Sequence, residues 1–499
     1  MNDLTANQVE DIWKAYEPMR DMMKRRRNYY EGRHDIVGRD GVYVDGSRKS
    51  EVVTNFIAYG VDLYAGSIAG NPYAISAIEQ DVSESTPGEE VEANTGPETY
   101  RRVGTQNNFD AMDVSNLINA LVEGYGVELH EFRDNKVIAT SRDPKMWLPI
   151  WNSENEFIGL IYRSTVPAGD FYGETLLDND LEIMVLYTSS RIKTWHKDMG
   201  ASKKEWVQAE DVQHFYGQVP AVIWRVNEGR KSIITDDIIG QQDEYNDADS
   251  SSGDSLRQDT DGVLAIEGYS AKNIADNSET IREYKLLPVP TGGKAYFITK
   301  PTDTQRTEAR IARTRSHIFM GMKVPDIEEI TGSTGSTSGI ALRLKFKPMM
   351  DNAKYMIANI RQGVRTRIDL INAVVGRMND TERIENYQVN IDFALPTNRV
   401  EEWQNVAALT GIVSPRKQLE VLSDVVDVEE EERRLAKARE DEQFISRTDG
   451  TPEEIQARND AEISALSEAL QPQIATVISA ISDAAQQETL NRIRQMDAN

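Results

Sequence analysis

The chain has 499 residues, 39% hydrophobic and 28% charged, enough to bury a sizeable core and to fold as two to four connected parts. It contains no cysteine, which excludes disulfide staples, thiolate metal sites and cysteine nucleophiles and suits a reducing compartment such as a cytoplasm. A formal net charge of −26 excludes an ordinary, phosphate-neutralising nucleic-acid binder; it suits solubility, or an inner surface along which DNA slides without being held.

The opening, MNDLTANQVEDIWKAY, is polar and acidic, unlike a signal peptide. Thr5 is placed to cap a helix that breaks near Pro18 and stops at Gly32. Lys24, Arg25, Arg26 and Arg27 cluster there, either as a solvated helix end paired with local acids or as a contact for DNA or an acidic neighbour. The apolar run at 55–70 is short and holds Asp62, so no bilayer crossing and no membrane partner is expected. Residues 79–99, acidic and containing Pro and Gly, read as a mobile loop without chemistry. From about 125 to 226, runs such as MWLPIW, FIGLIYRS and LEIMVLYTSS alternate with turn residues and predict a β-rich region.

Residues 236–259 carry eight acids against one base, Arg257. Ile234, Ile238, Tyr245 and Leu256 form a thin apolar stripe at helical spacing, while Ser250, Ser251, Ser252 and Gly253 weaken the helix. GVLAIEGY and KAYFITK, around a Pro-Gly turn region at 288–293, suggest a small β module. A second helix, over 301–323, is basic: Arg306, Arg310, Arg313, Arg315 and Lys323 outnumber Asp303 and Glu308. The flexible stretch ITGSTGSTSG leads into the strongest periodicity of the chain. There Phe346, Met350, Ala353, Ile357, Ile360, Val364, Ile368, Ile371 and Val375 step by three or four. A helix over 340–378 would be roughly 58 Å long, kinked or restarted at Pro348. The remainder reads as helical, with starts at Ser414-Pro415 and at Asp427 with Glu430, and a last amphipathic pair divided near Pro472.

Chemistry is hard to find. His34, His130, His196, His214 and His317 are scattered without metal-ligand spacing and read as structural. In the run from Asp247 to Gly253 the glycine falls one position late for a calcium loop, and no glutamate closes it. Ile340 follows Gly339 where a phosphate-binding loop needs lysine, and no Gly-x-Ser-x-Gly elbow is present. No nucleotide, metal or other cofactor is expected, and no catalytic residue is assigned.

NYYEGRHDI, NFIAYGVDLYAGSIAGNPY, the segment from HFYGQVPAVIWRV through DDIIGQQDEYNDADSSSGDSL, and SGIALRLKFKP before the long helix follow one another in an order that resembles the portal protein family of long-tailed, non-contractile bacteriophages. The acidic 79–99 stretch and the serine run at 250–252 depart from the family's pattern. The resemblance implies an α+β portal fold and a ring, usually of twelve subunits. Residues 1–235 and about 340–398 would form a β-rich wing with a long helix and a return strand; 236–260 and 301–323, the stem helices; 261–300, a small β clip; 324–339, a tunnel-loop region; and 399–499, a helical crown. It implies no enzyme activity, a place at the portal vertex of the virion after assembly in the host bacterial cytoplasm, and, as partners, double-stranded DNA held weakly, a terminase, the major capsid protein, a scaffolding protein and head-tail adaptors.

Within that frame Thr331, Gly332, Ser333, Thr334, Gly335, Ser336, Thr337 and Ser338 are expected to project into the DNA channel, and Arg343, Lys345 and Lys347 to meet phosphate or a neighbouring subunit. Asp243 and Asp247 of the acidic helix are expected to face Arg310 and Arg313 of the neighbour's basic helix, the alternative being pairing within one subunit. Two other classes compete: a different ring-forming connector or virion protein, for which the chain is long, and a metal-dependent enzyme, which substitution of single carboxylates would reveal.

Overall fold

In the computed structural model the described residues are 1–38, 49–78, 95–260, 263–266, 292, 294–298, 304–326, 339–394, 406–410, 412–422, 428 and 431–437. Helix α1 (Ala6–Ala15) starts where Thr5 predicts, with a capping box: the Thr5 side chain accepts from the Gln8 N–H, and Gln8 returns a bond to the Thr5 N–H. The break comes at Tyr16, so that Pro18 lies in the first turn of α2 (Glu17–Tyr30), where a missing N–H costs nothing. Gly32, at φ +81°, turns the chain after it. α3 (Phe56–Ala69) is capped by Asn55 and buried on most sides; β1 (Ala74–Ala77) follows. The acidic loop expected to reach residue 99 ends sooner, because α4 (Gly96–Asn107) begins with Pro97 and Glu98 in its first turn, both favoured there.

After α5 (Phe109–Glu123) comes the β-rich region. A three-stranded antiparallel sheet has the order β11 (Ala221–Trp224), β2 (Gly126–Arg133), β3 (Lys136–Arg142). A five-stranded one has the order β10 (Val207–Gln213), β9 (Arg191–Asp198), β8 (Leu181–Tyr187), β5 (Phe157–Val166), β4 (Trp147–Trp151). Between β5 and β8 stands a small hairpin of β6 (Phe171–Tyr172) and β7 (Thr175–Leu176). Val9 and Trp13 of α1 cover one face of the larger sheet, on Leu148, Ile161, Met184, Leu186 and Trp195.

Then α6 (Asp236–Thr260) runs 25 residues and β12 (Val263–Ile266) pairs antiparallel with β13 (Ala295–Ile298). α7 (Thr304–Met322) packs back on α6, and α8 (Gly339–Met378) runs 40 residues. β14 (Tyr387–Asn390) returns to pair with β1. α8 passes through Pro348 without ending; that residue is exposed, where water can take the carbonyl bond the ring forgoes. Its buried positions follow the expected period, with Met349 the fully buried methionine and Met350 at the edge. α8, α3, α5, α6 and α7 enclose the main core. β11 lies on α8 at Gly363, where an added Cβ would stand 2.8 Å from the Trp224 ring.

By its contacts the chain divides into Met1–Asn405 and Val406–Asn499. In the second unit Ser414 caps α9 (Pro415–Val421), accepting from the Lys417 N–H, as its Ser-Pro start predicts. The expected helix start at Asp427 with Glu430, the final helical pair and most of the proposed clip lie outside the described residues.

Candidate functional site

Two arrangements organise the middle of the chain. In the first, α6 carries a line of buried polar side chains at four-residue spacing: Gln242, Asn246, Ser250 and Asp254. They accept from alternate backbone N–H groups of the segment that enters α3. Phe56 donates to Gln242 at 3.2 Å, Thr54 to Asn246 at 3.4 Å, Val52 to Ser250 at 3.0 Å and Ser50 to Asp254 at 3.1 Å. Two residues of extended chain rise about 6.6 Å and four of helix about 6.0 Å, so the rungs stay in step. This answers the departure at the serine run: Ser250 weakens the helix but is an acceptor in the ladder. His34 belongs to the same network, as a structural histidine, between the Tyr29 carbonyl and the Asn246 amide.

α7 meets α6 within the chain. Arg310 pairs with Glu244, and Phe319 packs edge-on against Phe56 and Tyr59. Arg315 grips Asp326 with both carboxylate oxygens at 2.7 Å. Asp243 accepts from the Tyr29 hydroxyl at 2.7 Å. Asp247 and Arg313 are exposed.

In the second arrangement α8 is pinned to the sheet by one fully buried cation. Arg367 donates to both oxygens of Glu128 on β2, at 2.9 and 2.6 Å, to Asp113 on α5 and to the Tyr100 hydroxyl on α4. Its guanidinium lies 4.1 Å from the Phe109 ring centre and 4.6 Å from that of Trp224. Glu128 also accepts from the Trp224 indole and the Asn116 amide, and His130 Nε2 stands 2.8 Å from it. Burial alone would raise Glu128, but the attraction of Arg367 and the bonds from His130 and Arg367 hold it down at about 2. Burial prevails at Asp113, pushing it up to about 6 against the pull of Arg367. In the sequence Arg367 is one of eight bases between 340 and 378, with nothing in its type to set it apart. Its position, three after Val364 and four before Ile371, was the available signal, since it falls on the apolar face. Nothing in the sequence pointed to Glu128 or Asp113 as its partners.

Of the remaining expected residues, Thr331 through Ser338 lie outside the described residues. Arg343 is exposed at the start of α8, Lys345 is half-buried, and Lys347 pairs with Asp351 at 2.8 Å. Among the described residues no cluster of acids and histidines could hold a metal ion, and no helix is long and apolar enough to cross a membrane. A cleft of about 390 Å³ beside Trp195 and Trp206 has Asp3 as its one carboxylate.

In class this is a mixed α+β chain organised by a braced helix pair and by a long helix pinned at its middle. Residues 10–444 match the family described as phage portal protein, SPP1 Gp6-like. The chain belongs to that family, and with it takes a structural, head-tail connector place in the virion. Among curated proteins none matches in sequence. Among solved structures, a chain of "Neck of empty GTA particle computed with C6 symmetry" is 12% identical, over 76% of this chain and 96% of that one, at a TM-score of 0.40.

Proposed function

We propose that this portal protein is one subunit of a closed ring, of twelve copies as is usual in the family, through which double-stranded DNA enters and leaves the phage head. The observation that carries the reading is the family match over residues 10–444, within which the braced pair α6 and α7 precedes the long α8 in the order expected of stem and wing. Weak contact suits a conduit, because DNA that must move cannot be held by many ion pairs. Thr331 to Ser338, small and uncharged, would brush the duplex, and Arg343, Lys345 and Lys347 would meet phosphate or a neighbour where α8 begins. Asp243, Asp247, Arg310 and Arg313 would be the stem contacts between subunits. A separate terminase would supply the energy, since no nucleotide motif is present. The major capsid protein, a scaffolding protein and head-tail adaptors would be the other partners, all meeting during assembly in the host cytoplasm.

Negative-stain imaging of the purified chain should show rings with a central hole, and deleting residues 333–337 should keep the rings while cutting DNA packaging at least tenfold. A solitary chain would refute the ring; normal packaging by the deletion variant would refute the assignment of the loop.

A further inference from the structure

α8 has an outward face that stands exposed among the described residues. Arg343, Lys347, Lys354, Arg361 and Arg365 are all exposed, and their spacing of four, seven, seven and four residues puts them within about 40° of one line along the helix. The line is about 33 Å long. Asp351 is shared by Lys347 and Lys354, at 2.8 and 3.1 Å; Arg343, Arg361 and Arg365 make no ion pair among the described residues. Beside the line stand two large apolar side chains in the open, Leu344 at 65% exposure and Tyr355 at 74%. In a chain of net charge −26, a stripe of five bases answered by one carboxylate, Asp351, and flanked by bare apolar groups marks an interaction surface.

The counterpart is on the same molecule but at a different place. The β6–β7 hairpin and its flanks, residues 167–180, hold Asp170, Glu174, Asp178 and Asp180 and no base. All four acids are exposed. Phe171 and Leu176, cross-strand partners in the hairpin, are exposed at 68% and 55%. One surface is apolar with a basic rim, the other apolar with an acidic rim. Among the described residues no ion pair joins them within one chain, and a ring is built from two unlike faces that complement each other head to tail.

We infer that the acidic β6–β7 hairpin of one copy seats on the basic outer face of α8 of the next, making Phe171 and Leu176 neighbours of Leu344 and Tyr355 across the subunit boundary. The inference rests on the ring reading and names the surfaces that close it. A duplex on the same stripe is the competing occupant. The charge of the hairpin and the apolar groups on both sides favour a second copy, for phosphate would need only the bases.

The test uses the full chain and reads ring formation by sedimentation and negative-stain imaging. Arg361→Glu with Arg365→Glu, and separately Glu174→Arg with Asp178→Arg, should each raise the concentration needed for ring assembly at least tenfold, while the circular dichroism stays that of the parent. Combining the four changes should restore assembly. Because the chain has no cysteine, Phe171→Cys with Tyr355→Cys treated with a flexible bis-maleimide should give a ladder of covalent multimers that neither single variant gives. Parent-like assembly by both charge variants, with no ladder, would overturn the interface and leave the ring standing. Loss of DNA binding by the stripe variant alone, with assembly intact, would assign the stripe to nucleic acid. A parent chain that forms no ring would remove both readings.

Discussion

At Arg367 a single side chain does the work of several contacts, and its setting fixes how the protein responds to acid. One cation faces two buried carboxylates. Glu128 has the bidentate bond and stays ionised; Asp113 is the acid that burial disfavours. The unfolded chain releases the Asp113 proton near pH 3.9, whereas the folded one keeps it to about 6. Between those values the folded state binds more protons, so the Asp113 contribution to stability is largest below pH 4 and declines as pH rises through 6. Glu128 acts in the opposite sense and lower, adding stability as pH rises from about 2 to its unfolded value. Asp113→Asn abolishes the first effect alone. Denaturant melts from pH 4 to 7 should show the variant gaining on the parent by about 2 kcal/mol as pH rises. Parallel curves would mean that Asp113 does not titrate there.

At the scale of elements, the ladder between α6 and residues 50–56 makes a prediction opposite to helix propensity. Ser250→Ala should stabilise an isolated helix by about 0.5 kcal/mol. Here it leaves the Val52 N–H without its acceptor, at a cost of about 1–3 kcal/mol. A net loss of stability, with faster amide exchange at Val52 than in the parent, is expected; a gain would show the rung to be idle. The ladder also explains which elements could be read from sequence. α8 was legible because an amphipathic helix repeats its apolar residues every three or four positions, and the strands of the larger sheet because β-branched and aromatic runs alternate with turns. The segment at 50–56 was not, because what orders it is a set of side chains 186 to 204 residues further on. α4 was not expected at all, and its start was read as loop for a related reason: Pro97 and Glu98 suit a loop in an acidic stretch and a good first turn once a helix follows.

For the whole molecule, the main core draws on residues from Tyr29 to Ile391, all within the first of the two units. A chain ended after Asn405 should therefore keep a cooperative melt, with Tm within a few degrees of the parent's first transition; a chain that fails to fold would tie that core to residues beyond it. Ring closure belongs to the same scale, since it concerns surfaces that one copy cannot satisfy alone.

The α+β class and the order of the large elements were decided by sequence alone, because local periodicity and turn chemistry are written in neighbouring residues; the family came from the likeness of whole segments to its members. So were the acidic and basic characters of α6 and α7. Tertiary structure decided which charges answer one another. It drew Arg367 into the core, set Glu244 against Arg310 and left Arg343, Arg361 and Arg365 on the outer stripe of α8 without an ion pair among the described residues. Charge pairing is a matter of distance through space, and residues 239 positions apart, such as Glu128 and Arg367, come into contact only when the chain is folded.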